Sequence, residues 1–303
     1  MQEEIADMLS RIGCQLDSFS FPTVKNGGIV VPGASAVFPS NSGKEFNNGT
    51  RKGRSTGTEP APWGAARQKP LAGTWPAGGS RPPGETASVL VSGFRTQYEA
   101  ELSSVEVAYP GTQVWASNDG LWLLVESGLL PGLFPKTVFM VGINFADRNV
   151  RGWGFQGSPA IGYEWIGPRH TNFPDGSICA FEPRDGTWFI GDRLVELLDL
   201  YTLWALRHLH LKAFGRWPGM QSILHAYERI LELRDDEYCG CANSQILYKD
   251  CCKDSDHRHA VIKEALRFTI DTMGGLRSPP RKIVEFLLNR GDPPSIASLT
   301  NLF

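Results

Sequence analysis

Apolar positions recur at helical spacing from the head of the chain: Ile5, Met8, Leu9, Ile12 and Leu16 predict an amphipathic helix within residues 1–16. So short a helix is unstable in water and needs a body to dock on. Residues 20–40 predict extended chain, with VKNGGIVVP as a strand or hairpin fragment. The pattern then lapses. From Asn41 to Glu85 the chain is mostly Gly, Pro, Ser, Thr and Ala, made basic by Lys44, Arg51, Lys52, Arg54, Arg67, Lys69 and Arg81. This composition predicts a solvated, disordered linker over 41–87, the alternative being an arm that contacts an acidic partner.

Periodicity resumes near Ser88. Phe94, Tyr98 and Leu102, four residues apart, predict a helix that ends by about Val107, ahead of Pro110-Gly111. The stretch TQVWASNDGLWLLVESG holds two apolar runs around Asn118-Asp119-Gly120, a strong hairpin signal. KTVFMVGINF predicts another strand, and the Gly- and aromatic-rich residues from Trp153 to Trp165 predict a strand and an irregular crossover. Asp192 is the expected N-cap of a helix whose stripe comprises Leu194, Leu197, Leu198, Tyr201 and Trp204, ending near Phe214 before Gly215. Further helices are expected at Gln221–Leu233, Val261–Met273 and Arg281–Asn289. Helix, antiparallel strands, loop and helices in that order predict an α+β domain.

Charge narrows the function classes. Thirty Lys and Arg against 32 Asp and Glu give a net charge of −2, which argues against bulk binding to nucleic acid or to a membrane surface. No apolar run approaches the ~20 residues that span a bilayer, and the acidic start MQEEIADMLSRIG lacks the basic and apolar regions of a signal peptide. The expected location is the cytoplasm. In that reducing setting clustered cysteines read as metal ligands or catalysts rather than disulfides.

One of the six cysteines, Cys179, stands in the loop HTNFPDGSIC, where Pro174, Asp175 and Gly176 are turn formers. A thiol presented by a polar turn is partly exposed, as a reactive cysteine must be. The segment RHTNFPDGSICAFEPRDGTW resembles the active-site region of ubiquitin-conjugating enzymes. In that family a His-Pro-Asn triplet precedes a Gly-x-Ile-Cys-Leu stretch that carries the catalytic cysteine, with a Trp and then a helix further on. His170 and Asn172 match the triplet, Gly176, Ile178 and Cys179 the cysteine stretch, and Trp188 the tryptophan, so the resemblance covers about residues 90–215. Thr171 stands for the triplet's proline, Ala180 for the leucine, and the spacing from Asn172 to Cys179 is one residue short. Such departures resemble the divergent bacterial members, which sit in operons with an activating enzyme and a deconjugating metalloprotease and serve antiviral defence.

The resemblance implies a ubiquitin-conjugating-like fold: an N-terminal helix, an antiparallel sheet, the active-site loop and C-terminal helices. It also implies a chemistry. Cys179 would accept a ubiquitin-like modifier as a thioester from an activating enzyme and pass it to an amine of a protein substrate. Asn172 would donate its amide hydrogen to the oxyanion, a contribution typically worth ~10²–10³ in rate. His170 would hold the loop. Two other readings are a non-catalytic binding module of the same fold and a cysteine hydrolase built on Cys179 and His170.

A second constellation, EYCGCANSQILYKDCC, places Cys239, Cys241, Cys251 and Cys252 within fourteen residues, the ligand count of a structural tetrahedral zinc site. It resembles the small zinc motif at the tail of the SecA motor protein, which runs Cys-x-Cys, eight residues, then Cys-Cys or Cys-His after a Tyr-Lys. Tyr248 and Lys249 match; the intervening loop is nine residues here, and Ala242 takes the place of a glycine. His257 or His259 could replace a cysteine as fourth ligand. The expected organisation is therefore a helix and extended segment at 1–40, a linker at 41–87, a conjugating-like domain at 88–236, a zinc motif at 237–260 and a helical tail at 261–303.

Overall fold

The computed structural model describes residues 2–12, 14, 21–30, 37–38, 87–127, 136–158, 160–181, 187–219, 221–223, 225–241, 246–271, 277–289 and 292–301. The linker expected at 41–87, apart from residue 87, and Ala242 lie outside the described residues. The chain is α+β, built on a five-stranded antiparallel meander: β4 (Gln113–Ala116), β5 (Gly120–Ser127), β6 (Thr137–Asn144), β7 (Asn149–Ser158) and β8 (Gly162–Trp165), neighbours in that order. A separate three-stranded sheet, β1 (Thr23–Lys25), β2 (Gly28–Val30) and β3 (Val37–Phe38), realises the expected hairpin. The Asp-Gly turn does join two paired strands, with Ala116 opposite Leu121. The irregular crossover expected before Trp165 is instead an antiparallel hairpin, Phe155 facing Trp165 and Ser158 facing Gly162.

Along β5 and β6 successive side chains leave on opposite sides, and both sides are buried. Leu121, Leu123, Val125, Phe139, Val141 and Ile143 meet the helices α1 (Gln2–Arg11), α2 (Ala87–Ala108) and α3 (Leu194–Phe214). Trp122, Leu124, Val138 and Met140 turn to a second core formed with α7 (Arg281–Asn289) and the 3₁₀ segment Ile296–Asn301. Trp122 Nε1 donates to the carbonyl of Pro294 at 2.8 Å, and Trp115 meets Phe286 edge-on at 5.1 Å. Part of the segment read as a helical tail thus shares a core with the sheet.

Helix α3 is buried nearly all round from Leu194 to His210, beyond the single stripe that the sequence suggested. It lies between the sheet on one side and α1 with β1 on the other, which is where an apolar-all-round helix belongs. Its aromatics approach β7 closely: a Cβ at Gly152 would come within 2.4 Å of the Tyr201 ring. The N-terminus corrects the expected cap. Arg193 holds the cap position without a side-chain bond, and Asp192 instead accepts from Phe189 N at 3.0 Å. The orphan amide of Leu194 donates to Glu101 Oε2 of α2 at 2.7 Å. A carboxylate from a neighbouring helix does the work of a local cap. At the other end Gly215, in the left-handed region (φ 70°), closes the helix as expected.

The helix expected at Gln221–Leu233 is shorter, α4 (Ala226–Glu232), with no regular structure at 221–223. Beyond it come a 3₁₀ turn at Tyr248–Asp250, the short α5 (Lys253–Asp256) and α6 (His259–Asp271), a shift of two residues from the expected start of the last. Among the described residues no helix is long and apolar enough to cross a membrane.

Candidate functional site

The loop between β8 and α3 is held by its own polar residues. Asp175 Oδ1 accepts from the backbone N–H and the hydroxyl of Ser177, at 3.0 and 2.8 Å, an Asx turn. Arg151 of β7 pairs with Asp175 Oδ2 at 3.2 Å, and Trp153 Nε1 donates to the Asp175 carbonyl at 2.8 Å. Ile178 N donates to Gly152 O at 2.7 Å, fastening the loop to the sheet. Cys179 follows directly, its N–H donating to the carbonyl of His170 at 2.9 Å. The thiol is part-buried, as the turn chemistry predicted, in contrast to Cys14, which burial pushes up to about 12 and keeps protonated.

His170 and Asn172 do come to Cys179, with separate tasks. His170 has φ 51°, an uncommon conformation for a side chain of its kind. Its ring lies 4.5 Å from that of Trp217, and Nε2 meets Gln221 Oε1 at 3.3 Å. Burial first, and the Arg169 guanidinium second, hold His170 well below the usual histidine range, so the ring is neutral at pH 7. A neutral, hydrogen-bonded imidazole suits a brace and not the imidazolium of a thiolate–imidazolium pair. Asn172 turns its amide into the loop: Nδ2 donates to Ser177 Oγ at 3.2 Å and to Ile178 O at 3.4 Å.

Cys179 opens on a cavity of about 200 Å³. His170, Asn172 and Phe173 line one side of it, and His225, Glu228 and Glu232 the other. The second wall was not foreseen, although Glu228 and Glu232 stand four apart and so share one face of a helix. Behind the first wall lies a buried ion pair, Arg169 to Glu237 at 3.0 Å, with Arg169 also donating to Gln221 Oε1 at 2.8 Å. Arg277, from the chain beyond α6, joins both walls: Nη1 donates to Thr171 O at 2.9 Å, and the guanidinium pairs with Glu228 at 3.4 Å and with Glu232.

The four cysteines of the second constellation converge. Cys239, Cys241, Cys251 and Cys252 have Sγ atoms all within 4.8 Å of one another, with 3.5 Å between Cys241 and Cys251 and 3.7 Å between Cys251 and Cys252. A tetrahedral metal with bonds of about 2.3 Å needs its sulfurs about 3.8 Å apart. The donor set therefore fits a metal ion, and among the described residues neither His257 nor His259 belongs to it. Burial first, then the Cys241 and Cys239 thiols, push Cys251 up to about 11; a bound cation reverses that balance by favouring thiolates. Four protein ligands leave no open position, so such a site is structural.

No family model matches this chain, and no curated protein or solved structure does either.

Proposed function

We propose that this chain is a conjugating enzyme of the ubiquitin-conjugating kind, carrying a ubiquitin-like protein as a thioester on Cys179 and passing it to an amine of a target protein. One observation carries the reading: the part-buried Cys179 opens on a cavity with the Asn172 amide and the braced His170 beside it, on the loop between a meander sheet and a long helix. A polar turn, a nucleophilic sulfur and a nearby amide donor are the parts that acyl transfer through a thioester requires.

In this reading the Cys179 thiolate attacks the activated carboxyl end of the modifier, and the activating enzyme's own leaving group departs. The acceptor amine, as its free base, then attacks the thioester carbonyl. The C–N bond forms, the C–S bond breaks, and the electron pair returns to sulfur. The extra proton on nitrogen passes to the Cys179 thiolate. Between the two events the oxyanion needs a donor, and Asn172 Nδ2 is the nearest side-chain amide on the loop. The four-cysteine cluster would hold a structural zinc, the ion that thiolate ligands and tetrahedral geometry favour. The ubiquitin-conjugating-like fold, a bacterial antiviral setting, the cytoplasm, and an activating enzyme as partner belong to the same proposal.

The test is direct. Incubation with a ubiquitin-like protein, its activating enzyme and ATP yields an adduct that thiol reductant removes, and Cys179→Ala abolishes it. An adduct that resists reductant, or one that survives in Cys179→Ala, overturns the assignment.

A further inference from the structure

We propose that Arg277, supplied by the segment that follows α6, is a positioning residue of the Cys179 site, pinning the loop that carries the thiol and setting the charge of the cavity. The inference rests on the reading of Cys179 as the acylated nucleophile, though its test needs no modifier. Only 3% of the Arg277 side chain is exposed. Nη1 donates to Thr171 O at 2.9 Å and Pro168 O at 3.2 Å, and Cζ lies 4.1 Å from the centre of the Phe173 ring. These three residues belong to the same loop as Cys179. On the opposite wall the guanidinium pairs with Glu228 and Glu232 of α4. The backbone around it fits as closely: a Cβ at Gly176 would come within 3.0 Å of the Ser278 carbonyl carbon, so only glycine lets the segment lie on the loop.

Such a placement has an electrostatic consequence. A buried guanidinium stays charged, and it favours an anion formed nearby. Burial lowers Arg277 from its ordinary value, while Glu228, Tyr227 and Cys179 each act to raise it. By reciprocity Arg277 favours the Cys179 thiolate. Other groups face the thiol as well. From α4 and its approach come Glu228, Glu232 and His225, the two carboxylates opposing a thiolate. From the loop comes the neutral His170. From α3 comes Tyr201, which interacts with both Cys179 and Arg151, and Arg151 is already paired with Asp175. Arg169 is likewise paired, to Glu237. Arg277 touches both cavity walls; Arg169 also reaches across, donating to the Glu232 carbonyl at 2.6 Å, but its charge is matched by the buried Glu237.

The experiment is the rate of alkylation of Cys179 by iodoacetamide as a function of pH, read by mass spectrometry of the Cys179 peptide in the full-length protein. Arg277→Gln slows the reaction about fivefold at pH 7 and leaves it unchanged at pH 10, where the thiolate forms regardless. Arg277→Lys, which keeps the charge and a donor for Thr171 O, restores most of the rate at pH 7. A profile unaltered by Arg277→Gln overturns the proposal. So does an equal loss at both pH values, which a merely structural role predicts, or an Arg277→Lys protein no faster than Arg277→Gln. Should Arg277→Gln not fold, Glu228→Gln decides: removing the carboxylate that offsets Arg277 speeds alkylation at pH 7, and no change or a slower reaction refutes the charge assignment.

Discussion

At the scale of single residues, Asn172 carries the sharpest question. Its amide already donates within the loop, but at 3.2 and 3.4 Å, the long end of the hydrogen-bond range. Redirecting one such bond costs on the order of 1 kcal/mol, whereas an oxyanion donor is typically worth roughly 3–4 kcal/mol in the transition state. The exchange favours the oxyanion once it forms. Asn172→Ala is therefore expected to slow discharge of the thioester to lysine by about 10²-fold, while loading of Cys179 changes far less. Single-turnover rates for both steps decide; equal losses would mean that the amide only braces the loop. The residues of this loop were legible because turn formers and a thiol in one short polar stretch admit few arrangements. Arg277 was not, since what ties it to this loop are the carbonyls of Pro168 and Thr171, more than a hundred positions away, and carbonyls leave no mark on a sequence.

At the scale of elements, the helices and strands with strong periodicity stood out and their ends did not. The α3 terminus shows why: Asp192 has the right chemistry at the right place, yet Glu101, brought by the packing of α2, supplies the carboxylate that meets Leu194 N. A tertiary contact overrode a local preference. The unbroken apolar runs of β5 and β6 carry more than a strand signal. An antiparallel sheet with one wet face alternates, so a continuous run implies that both faces are covered. Here α7 provides the second cover through Ile283, Phe286 and Leu287. Phe286→Ala should accordingly cost about 3–5 kcal/mol of whole-domain stability, as for a core aromatic. Urea unfolding followed by tryptophan fluorescence checks this, and a loss below about 1 kcal/mol would mark α7 as a loosely attached appendage.

At the scale of the molecule, the cysteine cluster and the thiol cavity are mechanically joined. The sequence suggested a self-contained zinc motif at 237–260, since four ligands in fourteen residues can fold a segment without a core of its own. The structure adds connections that spacing could not reveal. Ile223 N, on the cavity wall, donates to Gly240 O at 2.7 Å, between two of the cluster's cysteines. Gln221 donates to Tyr238 O at 2.8 Å and accepts from Arg169, beside the His170 ring. Glu237 takes Arg169 and the Trp217 amide, and Arg229 of α4 forms a bidentate pair with Asp256 at 2.7 and 2.8 Å. Without an ion to hold the four cysteines these turns would be free to move, and breaking one side of a buried ion pair costs about 3–5 kcal/mol. Purified protein is expected to hold about one zinc per chain, by elemental analysis. Removing it with a chelator, or substituting Cys239→Ser, should strip hydrogen-exchange protection from Tyr248 and Ile223 together. The amides of β5 and β6, paired along their whole length, should keep theirs. Protein free of zinc with its four thiols open to titration would dispose of the metal site. Protection lost at Tyr248 but kept at Ile223 would show that the cluster folds its own hairpin and leaves the Cys179 cavity untouched.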